Sequence, residues 1–215
     1  MDESETGFIQ AYHDILSHAG PSFRAIFLHL ANLPLPAPSS PQTSDQPLGA
    51  LIHCTAGKDR TGTFFGILFS FLGVPKEKIA EEYNLTEAGL AHIREDVVAR
   101  LIQASGFKQF ALENMAAADP SLSISSQDLK DAIVPGSAAP GKVRIGGREV
   151  DIPESVVEKA RSAALRMIGA RRESMIGVLD MVEREWGSAE GYLRSVCGLD
   201  TEDLEKLKRV LVVQA

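Results

Sequence analysis

Cys54 and Arg60 stand six positions apart in the run His53-Cys54-Thr55-Ala56-Gly57-Lys58-Asp59-Arg60-Thr61-Gly62, and the residue types around them suit chemistry at phosphorus. Hydrolysis of a phosphate monoester through a covalent intermediate needs three things. One is a nucleophile ionised near neutral pH, another a ring of donors around three equatorial oxygens, and the last an acid for the leaving group. A free cysteine has a pKa of about 8.5, and a helix N-terminus with positive charge nearby lowers it to about 3.5–7.5. Cys54 follows an apolar run and precedes a long apolar segment, so the loop between them is expected to point its amides inward. The stretch Thr55, Ala56, Gly57, Lys58, Asp59 and Arg60 then forms an anion nest, the substrate-binding cradle.

Each side chain of the loop has an expected part. Arg60 supplies a planar fork that matches two phosphoryl oxygens. Gly57 allows a positive φ or a close approach to ligand. Thr61 can hydrogen bond the sulfur and help it leave as thiolate, and His53 orients the loop through backbone hydrogen bonds. Lys58 adds charge at the pocket rim. Asp59 is a carboxylic acid candidate inside the loop, with simple pairing to Lys58 or Arg60 as the competing role.

Cys-x5-Arg alone is a weak signal. Here it follows an apolar run and a histidine, contains a glycine, ends in Arg-Thr-Gly and opens an apolar helix, and the combination is specific. A nucleotide-binding Walker loop is excluded, because Ile52 stands where its first glycine belongs and Asp59 follows the lysine. The plain alternative is a buried structural cysteine, which has no use for flanking Lys and Arg. Cys197 reads as a small core residue at a helix end, with a protective disulfide to Cys54 as the other option. His13, His18, His29 and His92 show no metal-ligand spacing, and no metal or cofactor is expected.

These residues need elements to hold them. Gly49 to His53 suits a buried strand, and Thr61 to Leu72 a helix buried all round, closed by Gly73. Upstream, the periodicity predicts a helix over 7–19 (Phe8, Tyr12, Ile15, Leu16), ended by Gly20-Pro21, and a second over 22–32. Residues 33–48 hold Pro34, Pro36, Pro38, Pro41 and Pro47 and read as a solvated loop. Downstream, helices are expected over 76–83, 86–104 and 107–118. Residues 119–153 read as an insertion or flap, with a hairpin turning at Gly146-Gly147. Helices over 154–168, 171–186, 188–197 (capped by Ser188) and 201–213 (capped by Thr201) complete the chain. A strand as apolar as 50–53 calls for neighbours on both sides, and the hairpin is the one other strand signal. Either the sheet is tiny or part of it lies outside this chain.

Composition sets the frame. The 215 residues suffice for a single domain, with 44% apolar residues and a net charge of −7. That charge argues against general nucleic-acid binding and tight membrane attachment. The acidic start Met-Asp-Glu-Ser-Glu-Thr is no signal peptide, and the longest apolar run, 61–74, is shorter than the about 20 residues a membrane span needs. A cytoplasmic protein is the default.

At the loop the sequence resembles the tyrosine/serine protein phosphatase-like family of bacteria and fungi. The resemblance extends through Gly7-Phe8 to Leu30, Leu72-Gly73-Val74-Pro75 and Trp186-Gly-Ser-Ala-Glu-Gly-Tyr-Leu193. It implies an α/β cysteine-phosphatase-like fold, helix-rich here and with an incomplete central sheet, working without metal through a phosphocysteine. The implied substrate is protein phosphotyrosine, with phosphoserine, phosphothreonine or phosphoinositides in some members. A non-catalytic phosphate-binding module is the rival class. Family members begin with a strand-rich segment bearing an Asn-Phe-Arg-Asp-type start and an aspartate offered as acid, which nothing in residues 1–48 matches. A fragment or a diverged paralogue is therefore expected. Similarity to myotubularin-type phosphatases, which have an aspartate before the arginine, implies Asp59 as general acid.

Overall fold

The structure, a computed structural model, describes residues 5–34, 50–134, 136 and 138–212. It is helix-rich with one small sheet among the described residues, a helical variant of the expected α/β phosphatase class. The chain divides into two compact units, Met1–Thr86 with Ala170–Ala215, and Glu87–Gly169.

The first unit holds the Cys54 loop. Its longest element is α1, Glu5–Ala31, one helix where two are expected. Pro21 sits inside it, and an interior proline costs a hydrogen bond and roughly 3 kcal/mol. The helix continues because its apolar stripe keeps register through the proline: Tyr12, Leu16, Phe23, Phe27 and Leu30 are all buried. Helix α2, Asp59–Phe71, follows the loop, and none of its residues from Thr61 to Phe71 is fully exposed. Phe27 stacks on Phe64 at 4.5 Å between centroids while Phe23 meets Phe64 edge-on at 5.2 Å. Aromatic pairs of this kind add to the gain from burial.

Helix α3, Lys76–Gly89, runs past the expected end at 83. The later helices of this unit are α8, Arg172–Trp186; α9, Ala189–Ser195; and α10, Thr201–Leu211. Helix α1 packs on α2, α8 and α10, and α2 packs on α8 and α9. Ser188 caps α9 as expected, its side chain accepting from the Gly191 amide. At α10 the cap is Asp200 and not Thr201: Asp200 and Asp203 form a reciprocal capping box. Either residue type can cap, and the choice fell to the one whose partner sits three places on. Residue 213, the expected end of that helix, lies outside the described residues, as does the proline-rich stretch from 35 onward.

The strand expected at 50–53 is not formed among the described residues. Leu51 is 89% exposed and no strand pairs with it. A strand needs a ladder partner to satisfy its amides, and the described strands pair only with each other. Ile52 alone of this run packs, half-buried, against the core.

The second unit contains a 3-10 turn, Ala91–Ile93, and α4, Arg94–Gln103, in place of one helix over 86–104. Then come α5, Ser105–Ala118, and α6, Ser126–Ala132, the latter unexpected inside the flap. The hairpin pairs β1, Lys142–Ile145, with β2, Arg148–Asp151, antiparallel. Its turn glycines, Gly146 and Gly147, have φ of +56° and +80°, the left-handed values such a turn demands. Helix α7, Glu154–Ile168, matches its expected bounds. Ala111, Leu112, Met115, Ala132, Val143, Ile152 and Val156 form this unit's own core. Among the described residues no helix is long and apolar enough to cross a membrane.

Candidate active site

The loop lies at the N-terminus of α2, whose N-cap is Lys58 and whose first internal hydrogen bond runs from the Gly62 amide to the Lys58 carbonyl at 2.7 Å. Cys54 is half-buried. Burial pushes its thiol up, but hydrogen bonds from the Thr61 hydroxyl and from the amides of Thr61, Ala56 and Lys58 outweigh it and lower the pKa to about 6. Three amides thus converge on the sulfur, as an anion nest requires, with Thr61 one place beyond the stretch expected to supply them. The Thr61 Oγ1 is buried and meets no partner in full hydrogen-bond geometry among the described residues, the Cys54 sulfur included, so of the groups that lower the thiol the loop amides are the better placed.

Gly57 adopts φ +66°, the turn that brings the amides round and that only glycine takes without strain. Arg60 is exposed, and its Nη2 donates to Thr55 Oγ1 at 2.9 Å, tying the end of the loop back to its start. The His53 ring is exposed, with Nδ1 3.2 Å from the Cys54 carbonyl, so the tautomer protonated there donates to that oxygen.

Lys58 does not reach the rim. It is only 4% exposed, its Nζ lying 2.8 Å from Asp59 Oδ1 and 5.8 Å from the ring centroid of Phe8. A buried ammonium needs an anion close by, and Asp59 supplies it. The same Oδ1 accepts from the Tyr12 hydroxyl at 2.7 Å, and Tyr12 Oη lies 2.5 Å from Tyr83 Oη. A hydroxyl has one proton, so Tyr83 donates to Tyr12 when Tyr12 donates to Asp59. Burial, then the neighbouring Tyr83 and Asp59, raises the Tyr12 pKa, so its proton stays in place.

The ring of Tyr83 lies against Gly62, where any Cβ would stand 2.7 Å from Cε2. Gly62 therefore owes its place to Tyr83. Tyr12 was expected only as part of an apolar stripe, and Tyr83 was not anticipated at all. The available signal is chemical: a tyrosine on a buried face needs a partner for its hydroxyl.

A sequence profile described as the tyrosine phosphatase family matches residues 1–213. The chain belongs to the tyrosine phosphatase family. A curated relative in Nostoc commune, named tyrosine-protein phosphatase, is 27% identical over 199 residues, covering 93% of this chain and 47% of its own length. This family member thus spans about half the length of the curated relative it matches. No solved structure matches it. In this tyrosine phosphatase-family chain Cys197 is a free thiol, 2% exposed in the first unit's core. Burial pushes its thiol up to about 11, against smaller lowering by Tyr192 and Arg24.

Proposed function

We propose that this chain is a cysteine-dependent phosphatase acting on phosphate monoesters, with protein phosphotyrosine as the substrate class. The observation that carries it is the convergence of the Ala56, Lys58 and Thr61 amides on a Cys54 sulfur whose pKa is about 6. The thiolate attacks phosphorus, and the bond to the leaving oxygen breaks as the S–P bond forms. Arg60 and the loop amides hold the three equatorial oxygens, whose charge they meet with preorganised dipoles. Water then attacks the phosphocysteine, releasing dihydrogen phosphate and restoring the thiolate, which the Thr61 hydroxyl stabilises as it leaves.

Of the two roles expected for Asp59, the Lys58 and Tyr12 contacts on Oδ1 support ion-pair partner, and they leave Oδ2 for the proton-donor role. Asp59, through Oδ2, is the group in the loop that can protonate the leaving phenolate, whose acid has a pKa of about 10. The burial of Lys58 also removes the rim charge on which a phosphoinositide substrate would depend.

Purified protein should hydrolyse an aryl phosphate in the presence of a chelator, and Cys54→Ser should abolish turnover. Activity that needs metal, or that survives the substitution, overturns the mechanism. Phosphopeptide binding without turnover would instead make the chain a phosphate-binding module.

A further inference from the structure

We propose that Tyr12 and Tyr83 are positioning residues for the Cys54 loop, acting through Asp59 and Lys58 to fix the Lys58 amide, one of the three that face the sulfur. Their consequence for turnover rests on the phosphatase reading above; their effect on the thiol does not. Four groups form one directional chain. Tyr83 Oη donates to Tyr12 Oη, which donates to Asp59 Oδ1, which also receives Lys58 Nζ at 2.8 Å. Lys58 is both the buried end of that chain and the owner of one of the amides on Cys54. With its Nζ held in that buried pair, its side chain limits the backbone conformations open to residue 58, and so the places that amide can take.

Packing alone does not call for these groups. Tyr12 is 2% and Tyr83 3% exposed, and phenylalanine would fill the same space without two hydroxyls to desolvate. Here a relay of two hydroxyls, from Tyr83 on α3 to Tyr12 on α1, ends on one carboxylate in the first turn of α2. The Tyr83 ring also closes on Gly62 from the other end of the loop. Ring and hydroxyl together grip the loop on both sides of Arg60, leaving the loop little freedom to relax when the sulfur is charged.

The test is the pH dependence of Cys54 alkylation by iodoacetamide, with Cys54→Ser as the blank, measured alongside thermal melting and aryl phosphate turnover. Tyr12→Phe keeps the ring and removes the donor to Asp59. It should move the alkylation midpoint up from about 6 by about half to one unit, slowing alkylation several-fold at pH 6. Tyr83→Phe should shift it in the same direction by less, and serves if Tyr12→Phe does not fold. Tyr12→Phe added to Asp59→Asn should shift it no further than Asp59→Asn alone, because both act on one chain. Folded Phe variants whose alkylation profiles superimpose on the wild type, or shifts that simply add, overturn the proposal. Shifted alkylation in a chain that never turns over substrate would support the positioning role while sinking the phosphatase reading.

Discussion

Cys54 is held by opposed influences, with burial favouring the thiol while Thr61 and three amides favour the thiolate. The second group wins, so the native state binds this proton more weakly than the unfolded chain does. The sign follows from linkage. A depressed native pKa stabilises the fold above the unfolded value, about 8.5, and that contribution is lost as pH falls through about 6. The wild-type chain should therefore gain stability over Cys54→Ser as pH rises from 5 to 9, measured as the difference in urea midpoints. A difference that is flat, or that shrinks with rising pH, would show that the loop does not hold a thiolate. At this scale the sequence foretold the positive φ of Gly57, and it singled out Cys54 and Arg60 by type and spacing. It was silent about Tyr12 and Tyr83, because a tyrosine in an apolar stripe looks like packing until its hydroxyl's partner is seen 47 residues away.

Among the elements, α1 shows how far packing can override a local break. Gly20-Pro21 reads as a stop, yet Gly20 is there for a neighbour: a Cβ at that position would meet the Val196 carbonyl oxygen at 2.5 Å. Replacing an interior helical glycine with alanine ordinarily stabilises by about 1 kcal/mol. At Gly20 the clash with backbone at the end of α9 should reverse the sign, so Gly20→Ala should lower the melting temperature. A rise would mean that α9 yields easily. The unbroken register of Tyr12, Leu16, Phe23, Phe27 and Leu30 was legible all along as evidence for one helix. The hairpin was found because Gly146-Gly147 is a strong local signal, and α6 was missed because its capping residues Ser125 and Asp128 sit in a Ser-rich stretch that reads as loop. The run before Cys54 failed as a strand for a reason that no local pattern encodes, the want of a partner.

Considered whole, the molecule is discontinuous: the first unit is built from two chain segments with the second unit between them. Asn84 Nδ2 donates to the Ala170 carbonyl at 2.8 Å, so the chain leaves the first unit and returns to it at one place. Such closely spaced ends tolerate replacement of what lies between. Exchanging residues 87–169 for a short Gly/Ser linker should leave the first unit folded, with the Cys54 alkylation midpoint still near 6. Loss of cooperative melting in that shortened chain would contradict the division. The discontinuity also orders events during synthesis. Helix α2 relies on α8 and α9 for its packing, and those helices leave the ribosome more than a hundred residues after Arg60, a delay on the order of ten seconds at common elongation rates. For that interval α2 has, of α1, α8 and α9, only α1 to pack on. The residues that grip the Cys54 loop, Tyr12, Lys58, Asp59 and Tyr83, are made early, whereas the helices that brace α2 from behind, α8 and α9, come last.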